Sequence, residues 1–251
     1  MLLAIDIGNS TAKFGVFDNE KLLARFTLPT DRNQTPEEIN ALTANNLLHN
    51  IDAVIVSSVV PELNIAYRSF CETHFNLKPF FVDHATDLDM KILYDPPESL
   101  GIDRAVAAFA AREKYGTPVI VCDFGTATTI DAVDARGEFI GGIIVPGIAA
   151  LADSLFQKTS NLPKVEIEKP KKVIGTSTVS AINAGIYFGY AGSVEKILQK
   201  MIEELGEAPK IIATGGFSGL IADSVKMIEV VDENLILEGL HLIYEKMKDD
   251  L

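Results

Sequence analysis

The sequence predicts an α/β protein built from two copies of one pattern: three strands, a helix, a strand and a helix. Two loops carry this prediction, Asp6-Ile7-Gly8-Asn9-Ser10-Thr11 and Asp123-Phe124-Gly125-Thr126-Ala127-Thr128-Thr129. Each follows a short apolar run, Leu2 to Ile5 and Val119 to Cys122, and each opens on Asp-x-Gly before small hydroxyl or amide residues. Aligned on Asp6 and Asp123, the halves agree at Gly8 with Gly125 and at Thr11 with Thr128. A repeated pattern of this kind implies an internal duplication. The helical composition of Ala105 to Ala111, ending at Tyr115-Gly116-Thr117-Pro118, separates the copies. The expected domains are therefore residues 1–116 and 117–251.

In the first half, strands are expected over Leu2–Asp6, Ala12–Asp18 and Leu22–Leu28, with Asp18-Asn19-Glu20 as a hairpin turn. Thr35-Pro36-Glu37-Glu38 supplies a hydroxyl cap, Pro at the first helical position and Glu at the third, which marks a helix start. Asp52–Ser58 is a short apolar strand, Pro61 opens a helix to about His74, and Pro79–Val82 is a further strand. The acidic, proline-containing segment Asp83–Ser99 is loop. In the second half, strands are expected over Val119–Asp123, Ala127–Val133 and Glu138–Val145, with Asp134-Ala135-Arg136-Gly137 as the turn. A helix follows Pro146-Gly147, a polar loop runs to Val173, and Gly175-Thr176-Ser177-Thr178 caps a long helix to about Glu204. Within it Gly185, Gly189 and Gly192 fall near one face. Glycine destabilises a helix, so this face implies a closely packed partner, either another helix or a second subunit. Ile211–Gly216 is a strand ending in a glycine pair, Ile228–Val231 a last strand, and Glu233–Lys248 a closing amphipathic helix.

An apolar fraction of 47% is ample for a packed core and excludes disorder. The formal charge of −13, with no basic run longer than Lys169–Lys172, disfavours nucleic-acid binding. Cys71 and Cys122 form no framework of pairs, and no His or Cys cluster has metal-ligand spacing, so both read as reduced core residues. Asp6 cuts the N-terminal apolar run too short for a signal peptide or membrane span, so the chain is expected to be soluble and cytoplasmic, with no membrane partner.

An Asp at the end of a strand points into the following loop, and a Gly two residues on allows a tight turn whose N–H groups and hydroxyls can receive phosphate oxygens. The carboxylate cannot meet phosphate directly and needs a cation between, which points to a metal–nucleotide complex. A single Asp-x-Gly is more often an ordinary turn, but two at matching places favour the functional alternative. Between the loops, Gly101-Ile102-Asp103-Arg104 falls at a helix N-terminus. Asp103 there is either a helix cap or a functional carboxylate favoured by the helix dipole. Arg104 opposes that dipole and is better explained by an anionic or polar partner. Gly215-Gly216 is either a tight turn or a place where a ring or phosphate approaches the backbone.

Four segments in order complete the pattern: Asp6-Ile7-Gly8-Asn9-Ser10; Tyr94-Asp95-x-Pro97 leading into Gly101-x-Asp103-Arg104; Asp123-x-Gly125-Thr126-Ala127-Thr128; and Gly141-Gly142-x-Ile144-x-Pro146-Gly147. Over nearly its full length the chain resembles the superfamily of acetate and sugar kinases, heat-shock chaperone ATPases and actin, and within it the type III pantothenate kinases. The resemblance implies two ribonuclease-H-like domains of the actin-like ATPase kind, with the active site in the cleft between them. It implies ATP-dependent phosphorylation of pantothenate at the entry to coenzyme A synthesis, with Asp103 as the base. By the same resemblance Asp6, Ile7, Gly8, Asn9, Ser10, Thr11, Ala12 and Lys13 form the first ATP loop, Asp6 lies near Mg2+, and Thr126 contacts ATP. Tyr94, Gly101, Ile102, Asp103, Arg104 and Thr178 hold the substrate, and Asp123 binds a monovalent cation, K+ or NH4+. The family's members are usually homodimers. Rival readings are a kinase of the same fold acting on another small polyol or acid, a non-catalytic nucleotide-binding regulator of transcription, and a chaperone or filament ATPase, for which 251 residues leave little room.

Overall fold

A computed structural model describes residues 1–47 and 50–248. It divides the chain into two compact units, Met1–Ala110 with Asn234–Leu251, and Ala111–Glu233. Each unit carries one five-stranded mixed sheet flanked by helices.

The first sheet contains β1 (Leu2–Ile7), β2 (Thr11–Asp18), β3 (Lys21–Pro29), β4 (Ala53–Ser58) and β5 (Phe80–Phe81), in the order β3-β2-β1-β4-β5. The β1–β2 and β2–β3 pairs are antiparallel hairpins, while β4 and β5 join in parallel. Every residue of β1 is buried, as expected of a central strand covered on both faces. One face packs Leu3, Ile5 and Ile7 with Phe14 and Tyr67 under α1 (Pro36–Thr43) and α2 (Asn64–Phe75). The expected capping box forms at α1, where Thr35 accepts from the Glu38 N–H and the Glu38 carboxylate accepts from the Thr35 N–H. The helix from Pro61 begins as a short 3₁₀ turn, Pro61–Leu63, before α2. Next comes α3 (Ile102–Tyr115), whose residues Ala105 to Ala111 are all buried.

The second sheet repeats this topology with β6 (Val119–Phe124), β7 (Ala127–Val133), β8 (Phe139–Pro146), β9 (Lys210–Thr214) and β10 (Val230–Val231), in the order β10-β9-β6-β7-β8. Read from β8, this is the first sheet's order, with the same two antiparallel and two parallel pairings. Ile120, Cys122 and Phe124 of β6 pack with Ile130 and Ala132 of β7 beneath α4 (Ile148–Lys158), α5 (Thr178–Leu205) and the short α6 (Ser218–Ala222), which the sequence pattern did not announce.

Two expectations need correction. The division at residues 116 and 117 does not hold, because the boundary falls inside α3, and α7 (Leu235–Met247) packs against β1, β2 and β4 of the first sheet. Gly239 of α7 lets that helix also cross α3 closely: a Cβ there would stand 2.9 Å from the Cβ of Ala110 and 3.0 Å from Cγ1 of Val106. The pairing of Thr11 with Thr128 is also displaced by one residue. Asp6 lies opposite Lys13 but Asp123 lies opposite Thr129, so the second loop is one residue shorter and Thr128 corresponds to Ala12.

Candidate active site

In the first unit, the Asp-x-Gly turn closes through the Gly8 N–H donating to the Thr11 carbonyl at 3.0 Å. Thr30, just past the end of β3, braces it: its N–H donates to the Ser10 carbonyl at 2.9 Å, and its hydroxyl to the Gly8 carbonyl at 2.7 Å. Asn9, Ser10 and Thr11 are exposed at the tip, whereas Ile7 and Ala12 are core residues that anchor its two ends. Asp6 is only 4% exposed. It accepts a hydrogen bond from Ser57 Oγ at 2.7 Å and lies 3.8 Å from Lys13 Nζ. Both neighbours follow from register, since Lys13 on β2 and Ser57 on β4 flank Asp6 on β1.

The second cluster of this unit gathers at the start of α3. The Arg104 and Ala105 N–H groups donate to the Gly101 carbonyl at 3.1 and 3.2 Å, so Gly101 caps the helix and Asp103 does not. Asp103 lies in the first turn, half-buried, with Oδ1 accepting from the Arg104 N–H at 2.8 Å. Gly101 leaves room for that carboxylate, because a Cβ there would stand 2.6 Å from Oδ1. Arg104 is 7% exposed. Its Nη1 donates to the Tyr94 hydroxyl at 3.4 Å, and its guanidinium carbon lies 5.3 Å from the Tyr94 ring centre, a cation–π distance. Tyr94, Gly101, Asp103 and Arg104 thus meet as one constellation, with Ile102 buried beneath it.

In the second unit, the loop at Asp123 is held by its own backbone. The Gly125 N–H donates to the Ala127 carbonyl, the Gly147 N–H to the Thr126 carbonyl and the Phe217 N–H to the Phe124 carbonyl, at 3.1, 3.2 and 3.2 Å. Two glycines press on it. A Cβ at Gly147 would stand 2.5 Å from the carbonyl oxygens of both Gly125 and Thr126, and one at Gly215, whose φ is +90°, would strike Asp123 Oδ1 and lie 2.7 Å from the Phe124 backbone. Gly215 therefore serves the strained turn and the close backbone approach together. Asp123 is half-buried and Thr126 exposed. Behind the loop, Thr128 hydrogen-bonds Tyr190, whose phenol is pushed up to about 12, chiefly by burial. The buried Asp131 lies on the other face of β7, over Gly142, where a side chain would collide with its carboxylate.

Thr178 lies on a different element of this unit. Ser177 is the N-cap of α5, in a reciprocal pairing with Ser180, which leaves Thr178 exposed in the first turn. It lines an open pocket of about 740 Å³ with Leu162, Gly175, Thr176 and Ile182. Further along α5, Gly185, Gly189 and Gly192 are exposed, and among the described residues nothing lies within 4 Å of a Cβ built on any of them. Gly185 and Gly189 open a groove of about 400 Å³ with Pro146, Leu151 and Tyr190.

The type III pantothenate kinase family model matches residues 2–200. This chain is a member of that family. A type III pantothenate kinase from Koribacter versatilis is 44% identical over 262 residues, covering 98% of this chain and 96% of its own. Among solved structures, a Campylobacter jejuni protein assigned to the Baf family of transcriptional activators superposes with a TM-score of 0.64 at 22% identity, over 99% of this chain and 100% of its own. A Streptomyces griseus ROK-family glucokinase, in complex with glucose and AMPPNP, superposes with a TM-score of 0.58 at 15% identity, over 98% and 99%. These likenesses agree with the two duplicated sheets in giving this family member the two-domain ribonuclease-H-like fold.

Sequence reasoning missed Ser57 and the Thr128–Tyr190 pair. The duplication held a clue to the first, since β4 and β9 both place a hydroxyl residue at or next to their C-terminal end, opposite the loop Asp: Ser57 and Thr214.

Proposed function

We propose that the chain transfers the γ-phosphoryl group of ATP to pantothenate, giving 4'-phosphopantothenate, the first step of coenzyme A biosynthesis. The observation that carries this proposal is the Asp103–Arg104–Tyr94 constellation at the start of α3 in a chain of this family. A primary alcohol is a poor nucleophile, and a carboxylate held against it takes its proton as the bond to phosphorus forms. Asp103 has that role. Arg104, fixed by Tyr94, binds the pantothenate carboxylate, and Tyr94, Gly101, Ile102 and Thr178 complete the substrate contacts. Phosphoryl transfer asks the protein mainly for positioning and charge stabilisation. The loop from Asp6 to Lys13 and Thr126 hold ATP.

The donor set near Asp6 fits Mg2+ carried by the nucleotide. This ion is commonly bound by one or two carboxylates, phosphates and water, and among the described residues no three His, Cys, Asp or Glu gather as a protein-only site. Asp6 would face the ion, which when bound screens the β- and γ-phosphates. Asp123, half-buried where Gly125 and Gly215 leave space beside its carboxylate, would hold K+ or NH4+. The open glycine face of α5 favours a homodimer, with a second copy covering Gly185 and Gly189. A cytoplasmic location suits a metabolic kinase, and none of the described helices is long and apolar enough to cross a membrane.

The test is phosphate transfer from ATP to pantothenate by the purified protein, in K+ or in Na+, with Asp103→Asn alongside. Product formation that depends on K+ and falls about 10²–10⁴-fold in the variant is expected. ATP binding without product under any condition would sink the kinase assignment and favour the regulator.

A further inference from the structure

We propose that Ser57 is a positioning residue that fixes the carboxylate of Asp6 for the cation of the bound nucleotide, an inference that rests on the kinase reading above. Ser57 lies 51 positions from Asp6, outside every motif of the chain. It is fully buried and ends an otherwise apolar run, Ala53-Val54-Ile55-Val56. A hydroxyl in such surroundings is costly unless hydrogen-bonded, and this one donates to Asp6 Oδ1 at 2.7 Å.

The consequence concerns rotation of the carboxylate. The terminal torsion of an Asp side chain is broad, so a carboxylate with no fixed donor swings about its axis. Ser57 holds Oδ1 from β4, a rigid element of the sheet. The other oxygen, Oδ2, is left facing the Lys13 side, where Nζ lies at 3.8 Å, too long for a hydrogen bond. Lys13 is partly exposed on a flexible stem and cannot fix the carboxylate as Ser57 does. One oxygen is thus committed to Ser57, and the other lies on the Lys13 side, beyond hydrogen-bond distance of that ammonium. The second unit keeps the same arrangement of residue types: Thr214, 1% exposed, occupies the register position opposite Asp123 that Ser57 occupies opposite Asp6. A buried hydroxyl residue therefore stands opposite the loop Asp in both sheets.

The experiment measures ATP affinity by calorimetry without pantothenate, with Mg2+ and with EDTA, for the native chain, Ser57→Ala, Ser57→Cys, Ser57→Thr and Asp6→Asn. Thermal unfolding is recorded for each. Ser57→Ala should weaken binding in Mg2+ by about 10–100-fold and change binding in EDTA by less than about two-fold, as expected for loss of an outer-shell partner. Ser57→Thr should recover most of the affinity, and Ser57→Cys, a weak donor of similar size, should fall between; the cysteine variant decides the matter if the alanine variant does not fold. In turnover, KM for MgATP should rise more than kcat falls. An Asp6→Asn variant that loses Mg2+-dependent affinity while Ser57→Ala keeps it would overturn the role of Ser57 alone. Equal losses with and without Mg2+ would also overturn it, as a general packing defect. If Asp6→Asn itself leaves Mg2+-dependent binding intact, the assignment of Asp6 fails and this inference with it.

Discussion

Replacing Gly147 with alanine tests whether the Asp123 loop is clamped from below as the structure describes. The substitution is benign for the residue's own backbone, since φ is −64° and ψ 159°, so its effect is steric alone. The new methyl would stand 2.5 Å from the Gly125 and Thr126 carbonyl oxygens, and ordinary contact begins near 3.4 Å, so those carbonyls must retreat by about 0.9 Å. Neither is the tip of a flexible side chain. Overpacking of this kind costs about 1–3 kcal/mol. Stretching the Gly147 N–H to Thr126 carbonyl bond adds about 0.5–1.5 kcal/mol, for a total of about 1.5–4.5 kcal/mol. For a chain of this size that lowers Tm by about 3–18 °C. Thermal unfolding followed by circular dichroism reads the loss, and ATP titration reads the displacement of Thr126 as weaker binding. A Tm within about 1 °C of the native value, with ATP affinity unchanged, would refute the clamp.

Gly189→Leu should leave the monomer folded, because nothing among the described residues lies within 4 Å of a Cβ there, yet weaken self-association about ten-fold or more by obstructing the partner's approach. Light scattering over a concentration series measures this, and an unchanged dimer would remove the α5 face from the interface. Alkaline stability should fall above about pH 9. Burial, with the charge of Glu72 adding and that of Arg68 opposing, pushes the Cys71 thiol up to about 12, and burial foremost also raises Cys122. Both folded thiols keep their protons while unfolded ones ionise. Stability is thus fully present below the ordinary thiol pKa and is lost as pH rises toward the folded value, by about 1.4 kcal/mol per pH unit per thiol. Urea unfolding at pH 8 to 11 tests the slope, which Cys71→Ala should flatten; a slope unchanged by that substitution would disprove the contribution of Cys71.

Much of the backbone of the candidate site was legible because its signals are local. Asp-x-Gly after an apolar run, Thr35-Pro36-Glu37-Glu38 and the start of α3 each state a backbone requirement within a few residues, and each formed as expected. Asp103 was open between cap and functional carboxylate. The structure closes the first alternative by giving the cap to Gly101.

The sequence by itself determined the α/β class, the duplication, the two hairpin-led sheets and the residues around Asp6, Asp103 and Asp123, since strand period, capping chemistry and glycine placement are properties of neighbours along the chain. Only the tertiary structure decided that α7 returns to the first sheet and crosses α3 at Gly239, that the second loop is one residue shorter, and that Ser57 holds Asp6. Each of these depends on packing or register between segments distant in sequence. A one-residue difference in register, or a missing Cβ at a helix crossing, leaves no mark on the local pattern that either segment shows alone.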